Sequence, residues 1–223
     1  MAAKIKAVIF DAYGTLLDVH SAMERHAPAL GADWQAISQT WRTKQLEYSW
    51  VRGLAGQFRD FASLTRDALD FAAAKHGVED PALLDQVEQA YRALTAYPDV
   101  KPVLTQLRAH GVRTAILSNG ERRMLDEGVR SAGLDRLLDA VLSVDPVRAF
   151  KPDHRVYELA TAHFGLAAGE MAFLSSNPWD AFGAHHFGFR VFWVNRTGQP
   201  EEYGLLSLTK MLPGLAPLPD AIA

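Results

Sequence analysis

Ala7-Val8-Ile9-Phe10 is an unbroken apolar run that stops at Asp11. Even hydrophobicity over so few residues suits a strand buried on both faces, as in a parallel α/β sheet. Thr114-Ala115-Ile116-Leu117, Met171-Ala172-Phe173-Leu174 and Val191-Phe192-Trp193-Val194 repeat the pattern, and Ala140-Val141-Leu142-Ser143 is a weaker copy. Helical spacings lie between these runs. Val103, Leu104 and Leu107 share one face, closed by Gly111, and Asp153 to Phe164 places Val156, Leu159, Ala160 and His163 on another. Strands alternating with helices predict βαβ units and a parallel sheet.

From about His20 to about Tyr97 the period is helical throughout, and no strand is expected. Trp34, Ile37, Trp41, Gln45, Tyr48 and Val51 form one stripe. Phe58, Phe61, Leu64, Ala68 and Phe71 form a second, and Leu83, Leu84, Val87, Ala90, Tyr91 and Leu94 a third, ended by Pro98. The spacing therefore predicts an α/β protein in which residues 1–18 and 98–223 build the parallel-sheet core and residues 19–97 form an inserted helical cap. An insert after the first strand lies at the strand's C-terminal end, where open α/β sheets bind ligands. The tail after Pro213 reads as irregular.

Composition narrows the classes. Lys and Arg total 23 against 26 Asp and Glu, a net charge of −3, which disfavours a nucleic-acid partner. With 48% apolar residues the chain is expected to fold. It has no cysteine, which removes disulfides, thiolate nucleophiles and Cys-based metal sites. No apolar stretch approaches the ~18–20 residues of a membrane helix, and the N-terminus is too short in apolar residues for a secretion signal. A cytoplasmic protein is the expectation. His185-His186 lacks the further ligand spacing of a metal site, and Gly14 and Gly120 form no dinucleotide fingerprint.

The chemistry gathers after the apolar runs. Asp11 follows the first. Ser118-Asn119-Gly120 follows Leu117, Ser175-Ser176-Asn177-Pro178-Trp179-Asp180 follows Leu174, and Lys151-Pro152 follows Phe150. In a parallel sheet such ends converge on one edge. Asp11 is a candidate nucleophile able to form an ester. Lys151 would keep nearby carboxylates ionised and attract an anion. Ser118 and Ser175 can hydrogen-bond a substrate carboxylate or the Asp11 oxygens, and Asn177 with Asp180 can orient a water. Singly, each has a plainer use: Ser118 and Asn119 as a helix cap, Lys151 as a surface charge, and Asp180 in a helix's first turn.

Phe10-Asp11-Ala12-Tyr13-Gly14-Thr15-Leu16 and the three later segments resemble, in order and spacing, the haloacid dehalogenase superfamily. The resemblance implies a Rossmann-like core, an Asp nucleophile and a helical cap. Most members are Mg²⁺-dependent phosphatases with Asp-x-Asp-x-Thr. Here the second carboxylate is replaced by Tyr13, a phenol of pKa ~10. The sequence is closer to the (S)-2-haloacid dehalogenase branch, on Asp11-Ala12-Tyr13-Gly14-Thr15, Trp41-Arg42-Thr43-Lys44-Gln45-Leu46-Glu47-Tyr48, Ser175-Ser176-Asn177-Pro178-Trp179-Asp180, and Phe187-Gly188-Phe189 with Trp193-Val194-Asn195-Arg196. That branch implies Asp11 as nucleophile, Arg42 and Asn119 around the departing halide, and Thr15, Ser118, Lys151, Tyr157, Ser175, Asn177 and Asp180 completing the site. Ala12, Tyr13, Gln45, Leu46, Phe61 and Trp179 would line the substrate pocket, with Phe58 competing for the place of Phe61. It further implies a small 2-haloacid substrate, a halide product, no metal or organic cofactor, and a homodimer. Two rivals are a Mg²⁺-dependent phosphatase of the same superfamily and a receiver-like module phosphorylated on Asp11.

Overall fold

The computed structural model describes residues 4–222. In chain order the elements begin with β1 (Ala7–Phe10), β2 (Leu17–Asp18), α1 (Ser21–Arg25), α2 (Ala27–Leu30), α3 (Trp34–Leu54), α4 (Phe61–His76), α5 (Pro81–Tyr91) and β3 (Thr95–Ala96). They continue with α6 (Val100–Ala109), β4 (Arg113–Ser118), α7 (Arg122–Ser131), β5 (Ala140–Ser143), α8 (His154–Phe164) and β6 (Met171–Ser175). The chain ends with α9 (Pro178–Phe187), β7 (Arg190–Val194), α10 (Leu205–Leu208), β8 (Lys210–Leu212) and α11 (Leu218–Ile222).

Six strands form one parallel sheet in the order β5-β4-β1-β6-β7-β8. β1 is central: Phe10 pairs with Ile116 on one side and Leu174 on the other. Helices cover both faces, so Val8, Ile9 and Phe10 are fully buried, each contributing roughly 1.5–3 kcal/mol. The strand order reverses about β1. The crevice beyond its C-terminal end is therefore where such a sheet takes a ligand. Asp11 stands there, and its N–H extends the ladder to Leu174 O at 2.9 Å.

The inserted block is helical with one exception. Leu17–Asp18 and Thr95–Ala96 pair as an antiparallel ribbon where the chain leaves and re-enters the core. Two-residue strands carry no alternation, so the sequence pattern held no sign of them. Asp60 caps α4 by accepting from Ser63 N at 2.7 Å, and Asp80 caps α5 ahead of Pro81. The stripes bury most of their expected members. Val51 and Phe71 are exposed, however, Val51 in the last turns of α3 beside the exposed Leu54, and Phe71 beneath the Lys44 ammonium. The third helix stops at Tyr91 rather than running to Pro98.

The core departs from expectation in smaller ways. Asp153 caps α8 rather than starting it, and His163 is exposed while Tyr157 and Phe164 fill the buried face. The tail is not irregular. β8 extends the sheet, and Leu215 and Leu218 are buried around α11. β8 was illegible because two of its three side chains are exposed, which leaves no apolar run. Among the described residues no helix is long and apolar enough to cross a membrane.

Candidate active site

β1 delivers Asp11 to the crevice, and the turn after it folds the next residues back. Gly14 supplies φ +88°, which a side chain would strain. The turn brings Thr15 Oγ to donate to Asp11 Oδ2 at 3.0 Å and to accept from Ser176 N at 2.8 Å. Asp11 is 5% exposed. Its Oδ2 also accepts from Asn177 Nδ2 at 2.8 Å, while its Oδ1 accepts from Lys151 Nζ at 3.2 Å.

Lys151 is buried, reached by the irregular segment 144–153 rather than standing directly after a strand as its apolar neighbours suggested. Asn119 Oδ1 holds its backbone N–H at 2.8 Å, and its ammonium lies 5.0 Å over the Phe173 ring. Nζ also donates to Asp180 Oδ2 at 2.8 Å. Burial alone would lower the Lys151 pKa, but the carboxylates of Asp11 and Asp180 outweigh it and raise the pKa. One ammonium thus bridges two buried carboxylates.

Asp180 lies in the first turn of α9, fully buried, with its second oxygen accepting from Tyr157 OH at 2.8 Å. Burial pushes its pKa up to about 6, opposed by the Lys151 ammonium and reinforced by Asp11. Burial and the Asp180 charge push the Tyr157 phenol well up, so it stays a neutral donor. The approach depends on Gly183, one turn along α9. A Cβ there would lie 2.5 Å from Pro152 Cβ and 2.7 Å from Tyr157 OH. Asn177 caps α9 in extended conformation, and Pro178 takes the first helical position, where no N–H is needed.

Ser118 and Ser175 end β4 and β6, fully buried. Their hydroxyl oxygens accept from Gly120 N and Asn177 N, each at 3.1 Å, which leaves their protons to donate. Neither Ser118 nor Asn119 caps a helix, since α7 begins beyond them with Glu121 at its cap.

The cap closes over this edge from α3. Arg42 donates to Asn177 Oδ1 at 3.2 Å, to Gln45 Oε1 at 2.8 Å, and more weakly to Tyr13 O at 3.4 Å. Aromatic rings fill the space around Tyr13. Phe61 stacks on it at 6.0 Å and Tyr91 at 5.5 Å, while Phe58 lies against Phe150 instead. Of the two phenylalanines, Phe61 therefore stands beside Tyr13. Ala12 is buried beneath the turn. Leu46 is half-buried one turn after Arg42, on the same face of α3. Trp179 meets Trp50 of α3 edge-on at 5.3 Å. Tyr91, Trp50 and Thr65, which accepts from Gln45 Nε2 at 2.7 Å, also belong to this region, although the sequence pattern offers Tyr91 only as cap core and does not mark the other two. The available signal was Thr65, a polar residue one turn after Phe61 in an apolar stripe.

A divalent cation does not fit these residues. Hard cations take about six oxygens. Asp11 instead accepts from the Lys151 ammonium and the Asn177 amide N–H₂, and the Arg42 guanidinium is bonded to the same Asn177. Among the described residues no three His, Cys, Asp or Glu side chains are grouped to hold a metal.

A family profile described as haloacid dehalogenase-like hydrolase matches residues 5–188. The (S)-2-haloacid dehalogenase 4A of Burkholderia cepacia is 45% identical over 219 residues, covering 98% of this chain and 95% of its own. The chain belongs to the haloacid dehalogenase-like hydrolases. Within that family it falls among the (S)-2-haloacid dehalogenases. A dehalogenase solved as an intermediate complex superposes with TM-score 0.96 at 43% identity, covering 99% of this chain and 98% of that one. The L-2-haloacid dehalogenase of Xanthobacter autotrophicus, solved with chloropropionic acid covalently bound, superposes with TM-score 0.90 at 39% identity, covering 98% of each.

Proposed function

We propose that this enzyme hydrolyses short (S)-2-haloalkanoates to (R)-2-hydroxy acids and halide through an ester on Asp11, with inversion at C2 and no metal. The observation that carries the reading is the asymmetry of Asp11: among the described residues Oδ2 takes two donors, Thr15 and Asn177, whereas Oδ1 takes only Lys151, and Arg42 is bonded to the same Asn177. The covalently bound chloropropionic acid of the Xanthobacter relative supports it.

In the first step Oδ1 attacks C2 from behind. The C2–halogen bond breaks and halide leaves with its electron pair toward Arg42 and Asn119, inverting C2. Ser118 and Ser175 offer hydroxyl protons to the substrate carboxylate, and Tyr13, Leu46, Phe61 and Trp179 wall in the alkyl chain. Oδ2 becomes the ester carbonyl oxygen, already held by Thr15 and Asn177, as an oxyanion requires. In the second step a water gives a proton to Asp180 and adds to the Asp11 carbonyl carbon. The bond from that carbon to the alkyl oxygen breaks, the alkoxide takes the proton from Asp180, and Asp11 releases the water's second proton to solvent and returns to a carboxylate. The Lys151 ammonium stays bonded to both Asp11 and Asp180 between steps, and Tyr157 fixes Asp180. Asp180, raised to about 6, is a stronger base than an ordinary Asp and is still ionised at neutral pH.

The donors around Asp11 oppose the phosphatase alternative, and the cap opposes a receiver-like module. The homodimer implied by the family resemblance is proposed for this chain as well. The deciding experiment measures halide release from (S)- and (R)-2-chloropropionate with excess chelator. Release from the (S) isomer alone, unaffected by chelator, is expected. Release from neither, with turnover of a phosphate ester on adding Mg²⁺, would overturn the reading.

A further inference from the structure

Behind Arg42 lies a buried polar chain that the proposed reaction does not itself use. Gln45 Oε1 accepts from Arg42 at 2.8 Å and from Tyr91 OH at 3.2 Å. Gln45 Nε2 donates to Thr65 Oγ at 2.7 Å, and Thr65 Oγ donates to Phe61 O at 2.7 Å. Gln45, Thr65 and Tyr91 are all buried, so water cannot replace a missing partner.

The direction of this chain is forced from its far end. In a helix a threonine hydroxyl commonly gives its proton to the carbonyl one turn earlier. Here that carbonyl is Phe61 O, so Thr65 has no proton left for Gln45 and can only accept. The amide must therefore turn its N–H₂ to Thr65 and its oxygen to Arg42. The reverse orientation would set N–H₂ against a guanidinium, donor against donor. Thr65 is itself fixed in place, because its carbonyl accepts from Trp41 Nε1 at 2.8 Å and so ties α4 to α3. At the near end, burial raises the Tyr91 pKa, which keeps the phenol neutral and donating to Gln45 Oε1.

We propose that Thr65 is a positioning residue for halide departure: as an obligate acceptor it sets the Gln45 amide, whose oxygen aims the Arg42 guanidinium. Gln45 then acts behind Arg42 rather than as a pocket wall, its amide being committed to Arg42, Tyr91 and Thr65. The inference rests on the dehalogenase reading, in which Arg42 meets the leaving halide.

The test compares Thr65→Val, which keeps the branched shape and removes the acceptor, with Thr65→Ser, which keeps the hydroxyl. Halide release is measured from (S)-2-chloropropionate and (S)-2-bromopropionate, with melting temperature alongside. Thr65→Val should lose about tenfold or more in kcat on the chloro substrate. It should lose less on the bromo substrate, whose leaving group needs less help, and KM should change little. Thr65→Ser should restore both kcat and the wild-type chloro-to-bromo ratio. Should Thr65→Val not fold, Thr65→Ala takes its place with the same expectations. An unchanged kcat, an unchanged chloro-to-bromo ratio with only the melting temperature lowered, or a Ser variant as impaired as the Val variant would each overturn the positioning claim while wild-type turnover upheld the dehalogenase reading. A wild-type enzyme inert toward both haloacids would overturn the reading on which the claim stands.

Discussion

Arg42 of the cap and Asn177 of the core are joined by a hydrogen bond of 3.2 Å, and the other end of the same Asn177 amide donates to Asp11 at 2.8 Å. One side chain therefore relates the position of the proposed halide acceptor to that of the nucleophile. Arg42→Lys keeps the charge but loses the planar fork that spans Asn177, Gln45 and Tyr13 O. It is expected to lower kcat about 10²-fold on (S)-2-chloropropionate, the scale of removing one preorganised donor, with the melting temperature little changed. Full activity in steady-state assays would show that a point charge is enough.

The Lys151 ammonium is the sole cation bonded to either Asp11 or Asp180 among the described residues, and all three groups are buried. Replacing Lys151 by Met leaves two buried carboxylates without the cation that joins them. Breaking buried pairs in this way costs about 3–5 kcal/mol. Denaturant unfolding of Lys151→Met at pH 7 should show a loss of that order. The loss should shrink in mild acid, where Asp180, raised to about 6, protonates and no longer needs the cation. A loss below 1 kcal/mol would mean that water reaches this crevice.

Asp180 is raised from an ordinary 3.8 to about 6. Its ionised form is the proposed base, so activity should be full above about pH 7 and fall as acid protonates it. The acid limb of kcat should bend near pH 6 if hydrolysis of the ester limits turnover. The stability sign is opposite to that of most native carboxylates. Between pH 3.8 and about 6 the folded state holds a proton that the unfolded chain has released, so this group's contribution to stability declines as pH rises. Comparing unfolding of the wild type with Asp180→Asn across that range isolates it. A kcat profile flat down to pH 4.5 would count against Asp180 as the base.

Arg196 latches the C-terminal segment to the nucleophile turn. It forks onto Asp99 at 2.9 and 3.0 Å, donates to Thr15 O at 3.0 Å and stacks 4.1 Å over Tyr97. Asp99 also accepts from Leu215 N at 2.7 Å, and these donors outweigh its burial to lower its pKa. Arg196→Lys should cost about 1–3 kcal/mol in chemical denaturation, since an ammonium cannot serve Asp99 and Thr15 together. An unchanged midpoint would mean that the tail holds without the fork.

The parts of this molecule readable in advance were those with a repeating physical cause. β1, β4, β6 and β7 are buried on both faces and so appear as unbroken apolar runs. α3, α4 and α5 bury one face each and so show stripes. Asp11, Ser118 and Ser175 could be grouped because parallel strands end on one edge. The elements without a sequence signal have no period: the two-residue ribbon at Leu17–Asp18, the largely exposed edge strand at Lys210–Leu212, and the loop that carries Lys151. Partnerships were equally hidden. Gln45 looks the same in the chain whether it lines a pocket or holds Arg42, and only its bonds to Thr65 and Tyr91 tell the two apart. Tyr91 sits in an apolar stripe and reads as packing, although its hydroxyl donates to Gln45.

The proposed mechanism turns on the ester at Asp11. Its most direct test is a single turnover of (S)-2-chloropropionate in ¹⁸O-water with enzyme in excess, followed by mass analysis of the peptide carrying Asp11 and of the hydroxy acid. Label is expected in Asp11, with an unlabelled 2-hydroxypropionate, because water attacks the Asp11 carbonyl and the product leaves with an original Asp11 oxygen. Label in the product after that first turnover, with none in Asp11, would contradict the mechanism and mean that water attacks C2 directly.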